Sequence, residues 1–369
     1  MIIFGLIPKI ERNMKYLVVQ DWKNTHGNHA GMVHMCRLLT QRYPDQYKML
    51  VKEQPKLFVS KKTVYGQIVR VWNHFVAKPF YLSHTFTREY RELCEPMFQE
   101  LKKGDKVFLL EYLLPEAPQL GIASYIKSNF PDIPIYALSH LTVDWFKKKI
   151  NRRGSTILEW SSYVNKMLTL GSSLSVYFEQ EGIPRSKIST GFHYVDAEYY
   201  HKEEPMKIHA PLRVIAMGSL QRDYSMLAKI VRQTPEIQFI ICHGKTDVGN
   251  LFSNCENVIL KGYLSEDELK HQMDESDVSI NIMIDTVGSN VITTSMAMGL
   301  AMLASNVGSI RDYCDKDNSI LCDNSVASFV SALNYLYKNP NKVMEMRRAS
   351  LEHSKRLQIE KIHNWFSSL

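Results

Sequence analysis

No run in this 369-residue chain approaches the roughly 18 consecutive apolar residues that cross a bilayer, so no membrane-spanning helix is expected. The six cysteines (Cys36, Cys94, Cys242, Cys255, Cys314 and Cys322) form no CxxC pair and no zinc-ligand spacing. That argues against a zinc ribbon, and their places in apolar runs such as FIICHG read as buried free thiols of a reducing cytosol. There is no internal repeat of solenoid period and no low-complexity tract. Helix-turn-helix and RNP-type motifs are missing, so nucleic acid is not an expected partner. The opening MIIFGLIPKIERN is too short and poorly flanked for a signal peptide, whereas MKYLVVQ from Met14 reads like a natural beginning. Residues 1–13 are accordingly read as an N-terminal extension.

The composition is that of a globular protein, 45% apolar and 22% charged, and the length suits two α/β domains of similar size. The net charge of +7 is unevenly spread. Residues 1–200 carry 27 Lys and Arg against 18 Asp and Glu; the remainder carry 18 against 20. A basic N-terminal half attracts anionic partners such as lipid phosphates.

Short apolar strands alternate with helical patterns, the mark of βαβ units on a parallel sheet. In the N-terminal half, strands are expected at Tyr16–Gln20, near Met49, at Val107–Glu111 and at Ile135–Leu138, with a helix over Met32–Tyr43. Between Pro55 and Lys103 the rhythm breaks into a basic, aromatic stretch, FVSKKTVYGQIVRVWNHFVAKPFYLSHTFTREYREL. Two readings stand side by side: an insertion facing an acceptor or membrane, or an amphipathic helix and loop with solvated cations. A linker falls near Pro205–Pro211. A second series then places strands at Leu212–Met217, Ile237–Cys242, Val258–Leu260, Val278–Ile282 and Met302–Ser305. Helices fill the gaps at Ser225–Gln233, Glu266–Asp274, Asn290–Gly299 and Val326–Tyr337. The expected domains are 14–204 and 205–355, two Rossmann-like α/β domains facing a central cleft, with 356–369 a helix able to cross back to the first.

In open parallel sheets, ligands bind beyond the C-terminal strand ends. MGSLQRDY (217–224) offers Gly218 for close backbone approach and Arg222 as a charged fork for phosphate, or as the ion-pair partner of a nearby acid. ICHGKT (241–246) sets Lys245 after Gly244, beside a diphosphate or in an exposed turn. In IDTVGSNVITTSMAMG (284–299), Gly288, Ser289 and Asn290 lead into a helix whose N-terminal amides suit an anion, or whose first residues simply cap it. SNVGSIRDY (305–313) is a similar turn. THGNHAG (25–31) brings Gly31 before a helix. His26 and His29 sit in that loop without a third ligand to make a metal site. His140, after a strand end, is a catalytic candidate or a satisfied structural residue.

The order of these pieces resembles the GT4-type retaining glycosyltransferases of the GT-B fold. The likeness is carried by VIAMGSLQRDY, FIICHGKT, VILKGYLSEDELKHQMDESDVSINI and TSMAMGLAMLASNVGSIRDY, from about Leu212 to Glu352. HAGMVHMCRLL and LGSSLSVYFEQEGIPRSKISTGFHYVDAEYY extend it more loosely over the N-terminal half. The resemblance implies a nucleotide diphosphate sugar bound by the C-terminal domain, a glycan or lipid-linked acceptor on the N-terminal domain, and transfer with retention. It implies no metal or other cofactor. It casts His140, Arg222 and Lys245 as catalytic residues. The donor would be met by Gly31, Gly218, Gly244, Tyr263, Leu264, Gly288, Ser289, Asn290, Val291 and Thr294, with Gly31 lending a backbone N–H and Thr294 bonding ribose. Cell-surface polysaccharide or glycolipid synthesis at the inner membrane face would follow, with peripheral contact to anionic lipid. One departure is plain: Thr286 and Thr294 stand where the family commonly has two glutamates. That departure keeps a second reading open, a non-catalytic GT-B subunit that scaffolds a partner transferase.

Overall fold

The computed structural model describes residues 13–21, 28–53, 68, 71–72, 86–113, 119–149, 156–202 and 207–369. Most of the basic, aromatic stretch lies outside these residues, as does His26. Its described end, Phe86 onward, belongs to the helix Phe86–Glu100. That helix buries Phe86, Tyr90, Cys94, Met97 and Phe98, one stripe at the helical period.

Among the described residues, twelve strands form two six-stranded sheets. The first contains β1 (Lys15–Asp21), β2 (Tyr47–Glu53), β3 (Lys106–Leu109), β4 (Ile135–Ser139), β5 (Lys166–Thr169) and β6 (Ile188–Thr190), in the order β2-β1-β3-β4-β5-β6. Leu17, Val18 and Val19 of β1 are all fully buried, as a central parallel strand covered on both faces requires. The second contains β7 (Arg213–Met217), β8 (Gln238–Cys242), β9 (Val258–Lys261), β10 (Val278–Asn281), β11 (Ala301–Ser305) and β12 (Ser319–Cys322), ordered β12-β11-β10-β7-β8-β9 and parallel throughout. This is the doubly wound Rossmann order, and its direction reverses between β7 and β10. Strands β5 and β12 were not among the expected elements. Both are short and lack the alternating or β-branched runs that announce a strand.

The chain falls into two compact units. One holds the described residues of 1–25, 36–139 and 159–167; the other holds those of 26–35, 140–158 and 168–369. In the second unit, alternate residues of each strand serve opposite layers. Val214, Ala216, Phe239 and Ile241 pack on one side with Leu227, Val231, Leu333 and Leu336. Ile215, Met217, Ile240 and Cys242 pack on the other with Ile292, Met296 and Ala297. The helix Glu266–Asp274 starts with a complete capping box, Ser265 and Glu268 each bonding the other's backbone N–H. All six cysteines are free thiols, and burial pushes Cys242 up to about 12. Among the described residues no helix is long and apolar enough to cross a membrane.

Candidate functional site

In such sheets the loops at the reversal usually diverge and leave the ligand position between them. Here the loop after β7 does not splay away. It is tied to the segment after β10 by Asp223 N–H donating to Ile282 O (3.2 Å) and Ile284 N–H to Gln221 O (3.0 Å). Gly218 sits at φ +84 and Gln221 at φ +56, so the chain doubles back and returns the Arg222 side chain toward the strand ends. Arg222 Nε donates to Met217 O (3.2 Å) and Nη2 to Asn281 Oδ1 (3.4 Å). No carboxylate of the described residues makes an ion pair with it, so the expected alternative of an Asp223 partner does not occur. Asp223 instead caps the helix Tyr224–Arg232 by accepting from Met226 N–H. Burial lowers the Arg222 guanidinium to about 10, the penalty of a cation kept in low dielectric.

A side chain at Gly218 would touch Val291 Cγ2 at 3.3 Å and Arg222 Nη2 at 3.8 Å. The glycine therefore joins the arginine to the first turn of the helix Asn290–Ala297. Ser289 is the N-cap and accepts from Val291 N–H at 3.3 Å, so the capping reading of this serine holds. Asn290 Oδ1 is buried and accepts no hydrogen bond from the described residues. Gly288, at φ +109, faces the Tyr313 phenol so closely that a Cβ there would collide with the Tyr313 oxygen. That phenol donates to Leu170 O and accepts from His193 N–H.

A second group forms beside the first. Gly244, at φ +62, lies in the turn after β8, and Lys245 Nζ lies 5.5 Å from the centre of the exposed Tyr263 ring. Leu264 packs against the helix-side core of the same unit. Two residues expected to meet the donor already have partners within their own segments. The Gly31 N–H is already donated to Asn28 O (3.2 Å) in a turn, and its carbonyl accepts from Tyr194 Oη (3.3 Å), so the expected free amide is consumed locally. The Thr294 hydroxyl donates to Asn290 O one turn back (2.7 Å), the usual fate of a buried helical threonine. Thr286 Oγ1 likewise stays local, accepting from Gly288 N–H at 3.3 Å.

His140 has a companion that sequence reasoning overlooked. Burial lowers both His140 and His193 to about 4, and their mutual repulsion lowers His193 further. Both imidazoles are therefore neutral near pH 7, able to hold a hydrogen bond but not a lasting positive charge. His193 lies in GFHYVD, after β6, and its position after a strand end was the available signal.

With this geometry in place, comparison with known structures identifies the architecture. Superposition covers 96% of this chain and 98% of sucrose-phosphate synthase from Thermosynechococcus elongatus, with a TM-score of 0.71 at 10% identity. It covers 97% of this chain and 100% of HepE from Anabaena, solved in complex with UDP and glucose, at 0.64 and 12%. For the lipopolysaccharide outer core galactosyltransferase WaaB the values are 96%, 100%, 0.65 and 13%. The fold is GT-B. Residues 213–339 match the family model of glycosyl transferases group 1, the span that contains Arg222, Lys245 and the Gly288 loop. The chain thus has the GT-B fold and carries a glycosyl transferases group 1 domain over residues 213–339. No curated protein matches by sequence comparison.

Proposed function

We propose that the chain transfers a sugar, with retention of anomeric configuration, from a nucleotide diphosphate sugar to a glycan or lipid-linked acceptor, as a GT4-type enzyme. One observation carries the reading: Arg222 is a half-buried guanidinium with no carboxylate ion-pair partner among the described residues, and Gly218 lies between it and Val291 in the first turn of the helix Asn290–Ala297. A desolvated cation and a helix N-terminus on either side of one glycine supply the positive charge that a departing diphosphate needs. Retention, in this reading, uses no metal: Arg222 and the helix amides take the charge, and Lys245 on its glycine turn supplies a second cation at the nucleotide side. Tyr263, Leu264 and the backbone around them frame the base. His140 and His193, neutral at working pH, orient hydroxyl groups instead of protonating them.

Because HepE was solved with UDP and with UDP-glucose, uridine diphosphate is the first nucleotide to test. The basic N-terminal half supports an acceptor carried on an anionic surface, which fits cell-surface polysaccharide or glycolipid synthesis on the cytoplasmic side of a membrane. The experiment is a thermal-shift panel of UDP, GDP, ADP, CMP and dTDP on wild type and Arg222→Ala. A ligand at about a hundred times its dissociation constant stabilises by about 2.7 kcal/mol. One nucleotide that shifts wild type alone supports the donor site and names its class; no shift in either protein defeats it.

Thr286 and Thr294 favour a second reading. Both hydroxyls are engaged within their own loop or helix, at positions where the resemblance calls for carboxylates. In that case the chain is a scaffolding GT-B subunit, and Arg222→Ala leaves its cellular role intact.

A further inference from the structure

We propose that His29, His34 and Asp196 bind one divalent transition-metal ion of the zinc class. His29 Nδ1 lies 2.7 Å and His34 Nε2 2.8 Å from the same carboxylate oxygen, Asp196 Oδ2. All three atoms fall within 4.8 Å of one another. Two imidazole nitrogens and one carboxylate oxygen suit Zn²⁺, Co²⁺ or Ni²⁺, whereas Mg²⁺ and Ca²⁺ prefer oxygen alone.

The surroundings hold each ligand in place. Asp196 Oδ1 accepts the N–H groups of Glu198 (3.2 Å) and Tyr199 (3.3 Å), which turns Oδ2 toward the imidazoles. Such outer contacts are what orient ligands in metal sites. The His29 ring stacks on Tyr199 with centroids 3.7 Å apart and planes 7° from parallel. The His29 N–H donates to Glu266 Oε2 at 2.9 Å, tying the loop to the helix Glu266–Asp274.

Exposure is graded across the three, 5% for Asp196, 12% for His34 and 30% for His29, so the open side lies at His29, where water would complete a tetrahedron. Metal–ligand bonds of about 2.0–2.1 Å put tetrahedral ligand atoms roughly 3.3 Å apart. The two nitrogens therefore move out from Oδ2 by about half an ångström, a shift the half-exposed His29 absorbs. The ion takes the place of the two imidazole protons now donated to Asp196. Its role is structural: it fastens the segment 28–35 to the segment 194–199, which the unaided hydrogen bonds already bring together.

The test is calorimetric titration of the chelator-stripped full chain with Zn²⁺ and, separately, with Co²⁺. One equivalent is expected, Co²⁺ should give visible absorption bands of a low-symmetry site, and Zn²⁺ should raise the thermal midpoint. His29→Gln, the most exposed ligand and the least disruptive change, and Asp196→Asn should each lower Zn²⁺ affinity at least about 10-fold. His201→Gln, whose ring bonds Glu198 O in the same region, should keep full affinity. Circular dichroism confirms that each variant is folded. Absence of stoichiometric binding, or binding unchanged in folded His29→Gln and Asp196→Asn, overturns the site and leaves a hydrogen-bonded clasp.

Discussion

Replacing Arg222 by methionine keeps most of the side-chain volume and removes only the charge and the donors. The stability consequence follows from opposing contributions. Burial has brought the guanidinium from 12.5 down to about 10, and at about 1.4 kcal/mol per pKa unit the folded protein bears about 3 kcal/mol for keeping this cation. Against that stand two hydrogen bonds, to Met217 O and to Asn281 Oδ1, each costing about 1–3 kcal/mol when a buried acceptor loses its donor. The contributions cancel, and Arg222→Met should change the unfolding free energy by less than about 1.5 kcal/mol in either direction. Diphosphate binding has no such compensation. Loss of a forked, charge-assisted contact worth about 3–4 kcal/mol should weaken nucleotide affinity roughly 100-fold to 1,000-fold. Urea denaturation monitored by circular dichroism gives the first number and calorimetry with the stabilising nucleotide gives the second. A loss of more than about 3 kcal/mol of stability would show that the arginine is there for the fold. Affinity retained within about threefold, a difference under 1 kcal/mol, would refute the donor-site assignment outright.

Arg347→Met makes the opposite case, because this guanidinium, 1% exposed, pairs with fully buried Asp277 at 3.1 Å and also bonds Gly299 O. Removing it should cost about 3–5 kcal/mol in urea denaturation and leave nucleotide affinity of the folded fraction unchanged. Gly288→Ala should cost about 2–4 kcal/mol, since φ +109 is unfavourable to a side chain and the new methyl displaces the Tyr313 phenol. Adding Tyr313→Phe to it should recover part of that loss, and a double-mutant cycle without coupling would contradict the contact. For pH, the folded His193 titrates near 4, below its unfolded value of 6.5, so the unfolded chain binds more protons between those limits. Stability is therefore complete above pH 6.5 and falls as pH drops toward 4, by up to about 1.4 kcal/mol per pH unit for each such histidine. His193→Gln should flatten that slope; an unchanged slope would assign the acid sensitivity to other groups.

What the sequence could reveal was whatever is encoded by near neighbours. The apolar runs of β7, β8 and β10, the glycine turns after them, and the Ser265–Glu268 capping box are all patterns a few residues long, and each appears where its pattern places it. The helix Glu266–Asp274 was expected with the boundaries it has, because its cap and its acidic first turn are local signals. The loops holding Arg222 and Gly288 were legible for the same reason. A strand end followed by glycine is a local event, and the order of such events carried the family resemblance. The helices Gln119–Asn129 and Ser172–Gln180 were missed along with β5 and β12, whose strand character depends on pairing with neighbours.

Tertiary structure decided the rest, because hydrogen-bond partners and burial belong to pairs of residues far apart in the chain. Asp223 stands next to Arg222, yet it caps a helix, and no carboxylate among the described residues pairs with the arginine. The Gly31 amide and the Thr294 hydroxyl look available in a one-dimensional reading, and only the folded turn and helix show them already satisfied. His29 and His34 acquire their third partner from Asp196, more than 160 residues later, by the packing of the first loop against the segment after β6. A sequence states which groups exist, and their local patterns determine helices, turns and strands. Whether a charge is buried without compensation, or two imidazoles converge on one oxygen, is settled by long-range packing alone.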